Sequence, residues 1–431
     1  MQPENGDNGD DESSAPTHGR WSSSAVLSDL ISPHSTDPKT TSTCKVVCLT
    51  GGPCGGKTSA LSILSDLFRN LGWKVYRVPE TATHLLSGGV VFSELSPQQT
   101  YSFQKDLLTV MLSIENTYIN LAKLNAKQGQ KTIVITDRGA MDPSAYIDRA
   151  SWLKILAELN LDEISIRDHR YDCVVHLVTA AKGAEQFYTL SNNSVRSEGL
   201  ELARHLDNLV MNAWLGHASL QVIDNESVPN FTAKCDRIVQ AVLTRLGVVA
   251  DNEIYGRAVM KHKFVVRDFV LTNEFPVPFR DFEVEHIYLV NPTGDGSQIR
   301  IRRRSEQLSA EEHLSMTMRR VGPNGQMAES RRNLTHREYD ILRGQNDPTR
   351  SIVKKIRRCF LFNDRYFQLD VFQSTKHAGL MMLEGYLDYD SEETTNGAPA
   401  PGVNQDRLPP WLQVEEVTKN KEYSMYELAK I

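Results

Sequence analysis

The chain has 431 residues, of which 40% are hydrophobic and 24% charged, and its formal net charge is −6. This length predicts roughly two or three domains with buried cores, and the weakly acidic balance excludes a globally basic surface that would recruit nucleic acid. The start lacks a signal-peptide pattern and no apolar run reaches membrane-spanning length, so we expect a cytoplasmic protein. The six cysteines form no CxxC pair, which predicts reduced thiols rather than disulfides or a zinc site.

Composition and hydrophobic periodicity divide the chain into three segments. Residues 1–42 are polar and acidic, with too little apolar surface to offset the entropy of ordering, which predicts a disordered tail. Between residues 43 and 249, short strand patterns alternate with helical patterns, as is typical of an α/β domain with a parallel sheet. Its strands are expected at 45–50, 73–78, 132–136, 171–178 and 220–223, and its helices at 57–70, 98–128, 143–160, 198–216 and 230–246.

The segment between the first predicted strand and the first predicted helix has the pattern G-x-x-x-x-G-K-[ST] of a phosphate-binding P-loop. Its glycines let backbone N–H groups converge on a phosphate at the positive end of a helix dipole. Lys57 is expected to reach the outer phosphates, and the Thr58 hydroxyl to ligate Mg²⁺. The predicted nucleotide contacts come from Gly51, Gly52, Pro53, Cys54, Gly55, Gly56, Lys57, Thr58 and Ser59. The sequence therefore predicts a nucleoside triphosphate with Mg²⁺, and no Asn-Lys-x-Asp signature selects GTP over ATP.

Acidic residues and an arginine follow later strands, where side chains face the ligand crevice of an α/β sheet. Glu80 is predicted to act as a base, a water-positioning group or a substrate anchor, and the alternative is an exposed loop carboxylate. Asp137 ends the third strand at the Walker-B position and is predicted to hold Mg²⁺. Arg138 is expected either to clamp a phosphate or to pair with Glu80. Asp142 either belongs to this loop or caps the helix predicted from residue 143.

An antiparallel pattern begins after residue 252, and residues 255–431 are predicted to form an α+β domain whose sheet closes or nearly closes on itself. A helix near 335–342 interrupts the strands, and a mobile loop is expected at about 391–410. Arg300, Arg302 and Arg304 alternate along one predicted strand and therefore share a face. That row favours a bound polyanion, with a solvated charged surface as the alternative. A second basic cluster contains Lys354, Lys355, Arg357 and Arg358, and the same two interpretations apply to it.

The motifs of the first half resemble a known P-loop module. GGPCGGKT, VPETAT and VITDRG-x-x-D-x-x-x-Y are similar to the module shared by nicotinamide-riboside-kinase-like domains and the TRPL translocation defect protein family. EGLELARHLDN, AWLGH and VIDN resemble the latter family. The resemblance implies binding of GTP and of phosphoinositides or phosphatidic acid, a role in membrane-protein trafficking, and peripheral membrane association.

The second half resembles the CYTH fold, an antiparallel triphosphate-tunnel barrel, in IRIRRRS, KKIRRCFLFNDRYFQLDVF, LMMLEGYLD and LPPWLQVEEVTKNKEYSMYELA. Active members of that family hold a metal with a Glu-x-Glu-x-Lys strand, of which only the lysine, Lys263, remains here. Asp370 and Glu384 are also present, but the missing first-strand carboxylates remove hard oxygen ligands for Mg²⁺. The resemblance thus implies a CYTH-like domain without a catalytic metal. Lys263 then joins the arginines and Lys354 as an expected anion-binding or lipid-binding residue.

These expectations lead to more than one function. The first is a regulatory protein that binds GTP or ATP and an anionic phospholipid, acts on a membrane-protein client and changes its domain arrangement with nucleotide state. The second is a kinase for a nucleoside or nicotinamide-riboside type of substrate, with Lys57, Asp137, Glu80 and Arg138 at the transferred phosphoryl group. A CYTH-type triphosphatase is the third, and the missing metal carboxylates argue against it.

Overall fold

The computed structural model describes residues 44–188, 199–248, 260–272, 274–291, 296–306, 309, 311–321, 327–374, 377–387 and 407–431. The predicted tail at 1–42 lies outside these residues, as does the greater part of the loop predicted at 391–410. Within them, the chain forms a five-stranded parallel sheet followed by a nine-stranded antiparallel sheet. Among the described helices, none is both long and apolar enough to cross a membrane.

The parallel sheet has the strand order β2-β3-β1-β4-β5. Its strands are β1 (Cys44–Thr50), β2 (Lys74–Val78), β3 (Thr132–Asp137), β4 (Cys173–Leu177) and β5 (Leu220–Ile223). The helices of this half are α1 (Lys57–Asn70), α2 (Thr81–Leu86), α3 (Pro97–Lys127), α4 (Arg149–Glu158), α5 (Glu163–Asp168), α6 (Leu200–Ala213) and α7 (Phe231–Leu246). Val46 and Cys48 of β1 pack into one apolar cluster, and Val47 and Leu49 pack into another. The central strand is therefore buried on both faces, and the predicted α/β parallel sheet is confirmed.

Local sequence explains where the helices beside the site begin. Ser96 and Gln99 form a reciprocal capping box that starts α3, with Pro97 at its first position. The helix predicted from residue 143 begins only at Arg149, because Asp142–Tyr146 forms a 3₁₀ turn and the side chain of Asp148 accepts a hydrogen bond as the N-cap. The start predicted at residue 143 was therefore wrong by six residues (149 − 143), which leaves Asp142 in the loop after β3.

The antiparallel sheet has the strand order β10-β9-β8-β7-β11-β12-β13-β6-β14. Its strands are β6 (Met260–Arg267), β7 (Phe279–Leu289), β8 (Gln298–Ser305), β9 (Glu312–Val321), β10 (Met327–Asn333), β11 (Val353–Phe362), β12 (Arg365–Phe372), β13 (Met381–Leu387) and β14 (Gln413–Glu416). Helices α8 (His336–Arg343) and α9 (Met425–Leu428) accompany it. Among the described strands, β10 and β14 at the two ends of this order are not paired with each other. A closed CYTH-like barrel is therefore not confirmed, whereas an antiparallel sheet is.

The two sheets meet through a buried contact that contains both apolar and charged side chains. Trp214 belongs to the same apolar cluster as Phe282 and Cys359 of the second sheet. Beside this cluster, the Asp168 carboxylate accepts hydrogen bonds from Arg167 at 2.7 Å and from Arg304 at 3.0 Å. The second sheet is thus anchored on α5 and on the segment after α6.

Candidate nucleotide-binding site

A tight loop joins β1 to α1 at the carboxyl edge of the parallel sheet. Gly51 and Gly56 have φ angles of 133° and 94°, in the left-handed region that glycine tolerates best. A Cβ at Gly51 would lie 2.1 Å from the carbonyl oxygen of Leu177, and a Cβ at Gly56 would lie 2.8 Å from the ring of Phe231. The Leu177 carbonyl leaves no space for a side chain at Gly51, and the left-handed φ favours glycine at both positions, as in a loop that cradles phosphate.

Lys57 begins α1 and folds back over this loop. Its Nζ donates to the carbonyl oxygens of Gly51 and Gly52, each at 3.0 Å. Burial first, and then the charge of Arg138, lower the pKa of Lys57. Thr58 and the next residue, Ser59, have exposed side chains that line the cavity beside the loop. The structure brings all these residues together, and their contacts to a nucleotide stay a prediction.

Asp207 on α6 supports the loop from behind. Its Oδ1 accepts hydrogen bonds from the backbone N–H groups of Gly52 at 2.9 Å and Thr179 at 3.1 Å, and lies 3.1 Å from Nε2 of His176. Lys182 forms an ion pair with the other carboxylate oxygen at 3.0 Å. Burial alone would raise the pKa of Asp207, but His176 and Lys182 hold it below the ordinary value. The contact of Asp207 with the loop was not predicted from the sequence, which shows only an acidic residue on the otherwise apolar face of a helix.

Glu80 and Arg138 form an ion pair next to the loop. The Arg138 guanidinium donates to the Glu80 carboxylate through Nε, and its NH1 group lies 3.4 Å from the carbonyl oxygen of Gly51. Thr83 donates to the second carboxylate oxygen of Glu80 at 2.8 Å. Burial would raise the pKa of Glu80, but Arg138 and Lys57 lower it to about 2. Of the two alternatives for Arg138, the structure shows the pair with Glu80.

Two further carboxylates complete this edge of the sheet. Asp142 accepts hydrogen bonds from the Thr50 hydroxyl at 2.7 Å and the Trp214 indole at 2.6 Å, so it fixes the loop that carries Arg138. Asp137 at the end of β3 is mostly buried, burial raises its pKa, and its Oδ1 has no hydrogen-bond partner among the described residues. An orphaned carboxylate oxygen beside the phosphate loop fits a Mg²⁺ site, where Asp137 and Thr58 would hold an ion that neutralises phosphate charge.

A cavity of about 1310 Å³ extends from the loop to both sides of β1. Beside β4 and β5 it is lined by Asn225 and Lys234 and by apolar residues that include Leu206, Val228 and the ring of Phe231. Lys234 donates to the carbonyl oxygen of Val178 at 2.8 Å and to the Asn225 side chain at 2.6 Å, and burial lowers its pKa to about 8. Beside β2 and β3 the lining combines the rings of Phe92 and Phe103 with the charged side chains of Glu80, Asp137 and Arg138. Both parts of the cavity thus contain polar and apolar side chains.

The antiparallel sheet carries a second group of charges, here called the arginine face. Strand register places the following residues on one face: Lys263, His286, Arg300, Arg302, Lys355, Arg357, Asp370 and Glu384. Asp370 accepts from Lys355 at 2.5 Å and from Arg357 at 2.7 Å. Within the described chain, no carboxylate pairs with Lys263, Arg300 or Arg302 within 4.0 Å, so this face carries uncompensated positive charge.

Two further predicted anion-binding residues, Lys354 and Arg304, differ from this group in position or in contacts. Lys354 is on the opposite face of β11, where its exposed Nζ lies 4.0 Å from Glu285, whereas Lys355 lies on the arginine face. Anion binding by Lys354 stays a prediction. Arg304 shares the face of Arg302 but donates to Asp168 and to the backbone carbonyl of Gly216. Its guanidinium is therefore used in the contact between the two sheets.

The loop, the lysine and the carboxylates define a P-loop nucleotide-binding domain. Residues 46–229 match the model of a family described as an AAA domain, a range that contains the loop, Glu80, Asp137 and Arg138. The match leaves the nine-stranded sheet uncovered, and the resemblances to the TRPL translocation defect and CYTH families stay predictions. No curated protein matches the chain.

Several solved structures are similar to part of the chain. The hypothetical protein NE1496 is 23% identical, with 39% of this chain and 96% of that chain covered and a TM-score of 0.26. The PH1819 protein from Pyrococcus horikoshii OT3 is 14% identical, with 31% and 81% covered and a TM-score of 0.22. The PH1012 protein from the same organism is 15% identical, with 30% and 79% covered and a TM-score of 0.21.

Replacing Gly56 by Ala is expected to weaken nucleotide binding, because the new Cβ meets the Phe231 ring at the phosphate loop. Gly72→Ala is the matched control, since Gly72 also has a left-handed φ, 79°, but has no neighbour within 4 Å of a Cβ. Strain at the left-handed φ should cost both variants roughly 1 kcal/mol of unfolding free energy. Isothermal titration with GTP and ATP should show an affinity loss for Gly56→Ala alone, and equal affinities would contradict the cradle assignment.

Proposed function

We propose that the protein is a regulatory nucleotide-binding protein, with GTP favoured, that also binds the phosphate-bearing headgroup of an anionic phospholipid and acts on a membrane-protein client in trafficking. The P-loop domain of residues 43–249 would bind the nucleotide with Mg²⁺, and residues 255–431 would form the CYTH-like domain that binds phosphoinositide or phosphatidic acid. The observation that carries the first part is the loop of Gly51 and Gly56, with Lys57 folded over it and Glu80, Asp137 and Arg138 at its edge.

Nucleotide binding is tested with Lys57→Met. We expect the wild-type protein to bind GTP or ATP in the presence of Mg²⁺, and the variant to lose at least about ten-fold in affinity, because a charge-assisted contact to phosphate is removed. Lys127→Met removes the same charge from an exposed position at the end of α3 and is the control. Titration calorimetry with both nucleotides also decides between GTP and ATP. Equal affinities of Lys57→Met and wild type would contradict the assignment of Lys57 to the nucleotide site.

The arginine face supports the headgroup part of the proposal. His286 is buried, and its pKa is lowered far below the ordinary value by burial and then by Lys355, Arg300 and Arg302. Neither ring nitrogen of His286 has a hydrogen-bond partner among the described residues. Burying unpaired cations is costly unless an anion neutralises them, and arginine is well suited to phosphate oxygens. A phosphate-bearing headgroup meets both requirements.

Vesicle flotation tests the headgroup. Vesicles of phosphatidylcholine with either phosphatidic acid or a phosphoinositide should carry the wild-type protein upward, and neutral vesicles should not. Arg300→Gln should lower the bound fraction about five-fold, the effect of about 1 kcal/mol per basic residue at an anionic surface. Lys354→Gln removes one charge from the opposite face and is the control. An equal loss of vesicle binding in both variants would show that the protein is held by general charge attraction. Unchanged vesicle binding in both variants would show that the arginine face does not bind the headgroup.

A further inference from the structure

We propose that Arg245, on the last helix of the P-loop domain, binds the same phosphate-bearing anion as the arginine face, so that both halves of the chain hold the anion. The proposal rests on the anion binding proposed above for that face and deepens it. It adds a binding residue from outside the antiparallel sheet, where neither the P-loop motif nor the alternating arginines of β8 predict one.

The end of α7 touches two strands of the antiparallel sheet. The guanidinium carbon of Arg245 lies over the Tyr386 ring of β13, 4.2 Å from its centre. A Cβ at Gly247, the residue that caps α7, would lie 3.2 Å from the carbonyl oxygen of Glu329 on β10. These two strands are the seventh and the first in the strand order, so the sheet curves around the end of this helix. A side chain of the P-loop domain therefore reaches the antiparallel sheet.

Strand register places the neighbours of Arg245 on the arginine face. Tyr386 is two residues from Glu384 on β13, and alternate residues of a strand project to the same side. Arg331 on β10 lies in register with Arg300 on β8, across the intervening strand β9. Tyr386 and Arg331 therefore extend the arginine face toward the end of α7.

This corner of the face holds more positive than negative charge among the described residues. Glu329 accepts from Arg319 at 2.6 Å and from Arg331 at 3.2 Å, so one carboxylate serves two arginines. Within the described chain, no carboxylate lies within 4.0 Å of the guanidinium of Arg245 or of Arg300. Burial lowers the pKa of Arg331, Glu329 opposes this shift, and the charges of Arg300 and Arg245 lower the pKa further. The arginines are thus close enough to repel one another.

A phosphate group suits this corner in access and in chemistry. The side chains of Arg319 and Arg331 are 42% and 33% exposed, so a dissolved anion reaches them. A guanidinium that stacks on an aromatic ring, as Arg245 does on Tyr386, keeps its N–H edge for phosphate oxygens. A bound phosphate relieves the repulsion among the arginines, and each arginine pairs with two of its oxygens. The phosphate belongs either to a lipid headgroup or to a soluble compound.

Tripolyphosphate binding to the full chain tests the role of Arg245. Calorimetry without Mg²⁺ should show that Arg245→Met lowers the affinity about ten-fold, because a charge-assisted contact to phosphate is lost. Arg320→Met is the matched control, since Arg320 is exposed on the opposite face of β9, and it should lower the affinity less than about two-fold. Tripolyphosphate also fits the P-loop, so both variants are repeated in a Lys57→Met background, where the difference between them should persist.

Tyr386→Leu is a second variant that changes no charge. It removes the ring on which Arg245 rests, and it should weaken tripolyphosphate binding about three-fold. Tyr386→Phe keeps the ring and should keep the affinity. This pair separates a positioned guanidinium from general charge attraction, which neither substitution at Tyr386 alters.

Vesicle flotation with phosphatidic acid or a phosphoinositide separates the two sources of phosphate. If Arg245→Met lowers both vesicle binding and tripolyphosphate affinity, the proposal holds with a lipid headgroup as the ligand. If it lowers the tripolyphosphate affinity alone, the proposal holds with a soluble phosphate compound instead.

Equal tripolyphosphate affinities of Arg245→Met and Arg320→Met, with Tyr386→Leu unchanged from wild type, would overturn the inference and leave the anion binding of the arginine face standing. A wild-type protein that binds neither tripolyphosphate nor anionic vesicles would overturn the headgroup part of the proposed function and this inference with it.

Discussion

Replacing Asp168 by Ala is expected to lower the free energy of unfolding by about 3–5 kcal/mol, the cost of breaking a buried ion pair from one side. The Asp168 side chain is 1% exposed, and it neutralises Arg167 and Arg304, whose side chains are 0% and 4% exposed. Without the carboxylate, Arg304 keeps, among the described residues, the Gly216 carbonyl and the face of the Phe282 ring, 3.5 Å away. Urea unfolding followed by tryptophan fluorescence measures the loss.

The control is Asp66→Ala, which breaks an ion pair with Arg69 whose side chains are 65% and 52% exposed. Such a pair contributes less than about 1 kcal/mol, so the two variants separate burial from charge loss. The double variant of Asp168→Ala with Arg304→Met should recover part of the loss, because one stranded cation is removed. A loss in Asp168→Ala no larger than that in Asp66→Ala would show that this contact does not stabilise the fold.

The pH dependence of stability gives a second readout of the same contact. Burial alone would raise the pKa of Asp168, but Arg167 and Arg304 hold it well below the ordinary value. A depressed folded pKa means that the contribution is fully present above the unfolded pKa, about 3.9, and is lost as pH falls below it toward the folded pKa. The wild-type protein should therefore lose stability more steeply than Asp168→Ala as the pH falls from about 5 to 3.

The P-loop could be predicted from sequence because every part of its signal is contiguous. Glycines at fixed spacing, Lys57, Thr58 and the strand before them lie within about fifteen residues, so the motif carries its own structural context. Asp207 has no such signal. Asp207 is 155 positions from Gly52, and only the packing of α6 behind the loop gives its carboxylate a role.

The adjacent lysines Lys354 and Lys355 on β11 show a second limit of prediction from sequence, which is to tell the enclosed face of a strand from the exposed one. Both faces of β11 carry basic residues, with Lys355 and Arg357 on one face and Lys354 and Arg358 on the other. A strand inverts every side chain when its register moves by one residue, so alternation alone does not tell which face is enclosed. Both faces also hold a partly buried ion pair, Arg357 with Asp370 and Arg358 with Asp281. The two lysines differ in burial, since Lys355 is buried and Lys354 is exposed, and that difference depends on tertiary packing.

Replacing Arg302 by Met is expected to raise the unfolding free energy of the ligand-free protein by about 1–3 kcal/mol, because a buried charge without a counter-ion destabilises the fold. Arg302 is 9% exposed, its Nε has no partner among the described residues, and NH2 lies 3.3 Å from Nδ1 of His313. Burial and then the surrounding arginines, Arg331 first, lower the pKa of Arg302 far below its ordinary value.

Arg357→Met provides a control of opposite sign, since Arg357 donates to Asp370 at 2.7 Å and to Gln368 at 2.7 Å. Its loss removes these bonds and leaves Lys355 as the remaining cation beside the buried Asp370 carboxylate. Inorganic tripolyphosphate serves as the soluble anion, and saturation at 100 times its dissociation constant should stabilise the wild type by about 2.7 kcal/mol but not Arg302→Met. Urea unfolding with and without tripolyphosphate measures both effects. If Arg302→Met destabilised the free protein as much as Arg357→Met, Arg302 would be a structural cation already satisfied within the fold. A buried, unpaired Arg302 therefore differs from an exposed arginine in one testable way. Its replacement should both stabilise the free protein and abolish the stabilisation by tripolyphosphate.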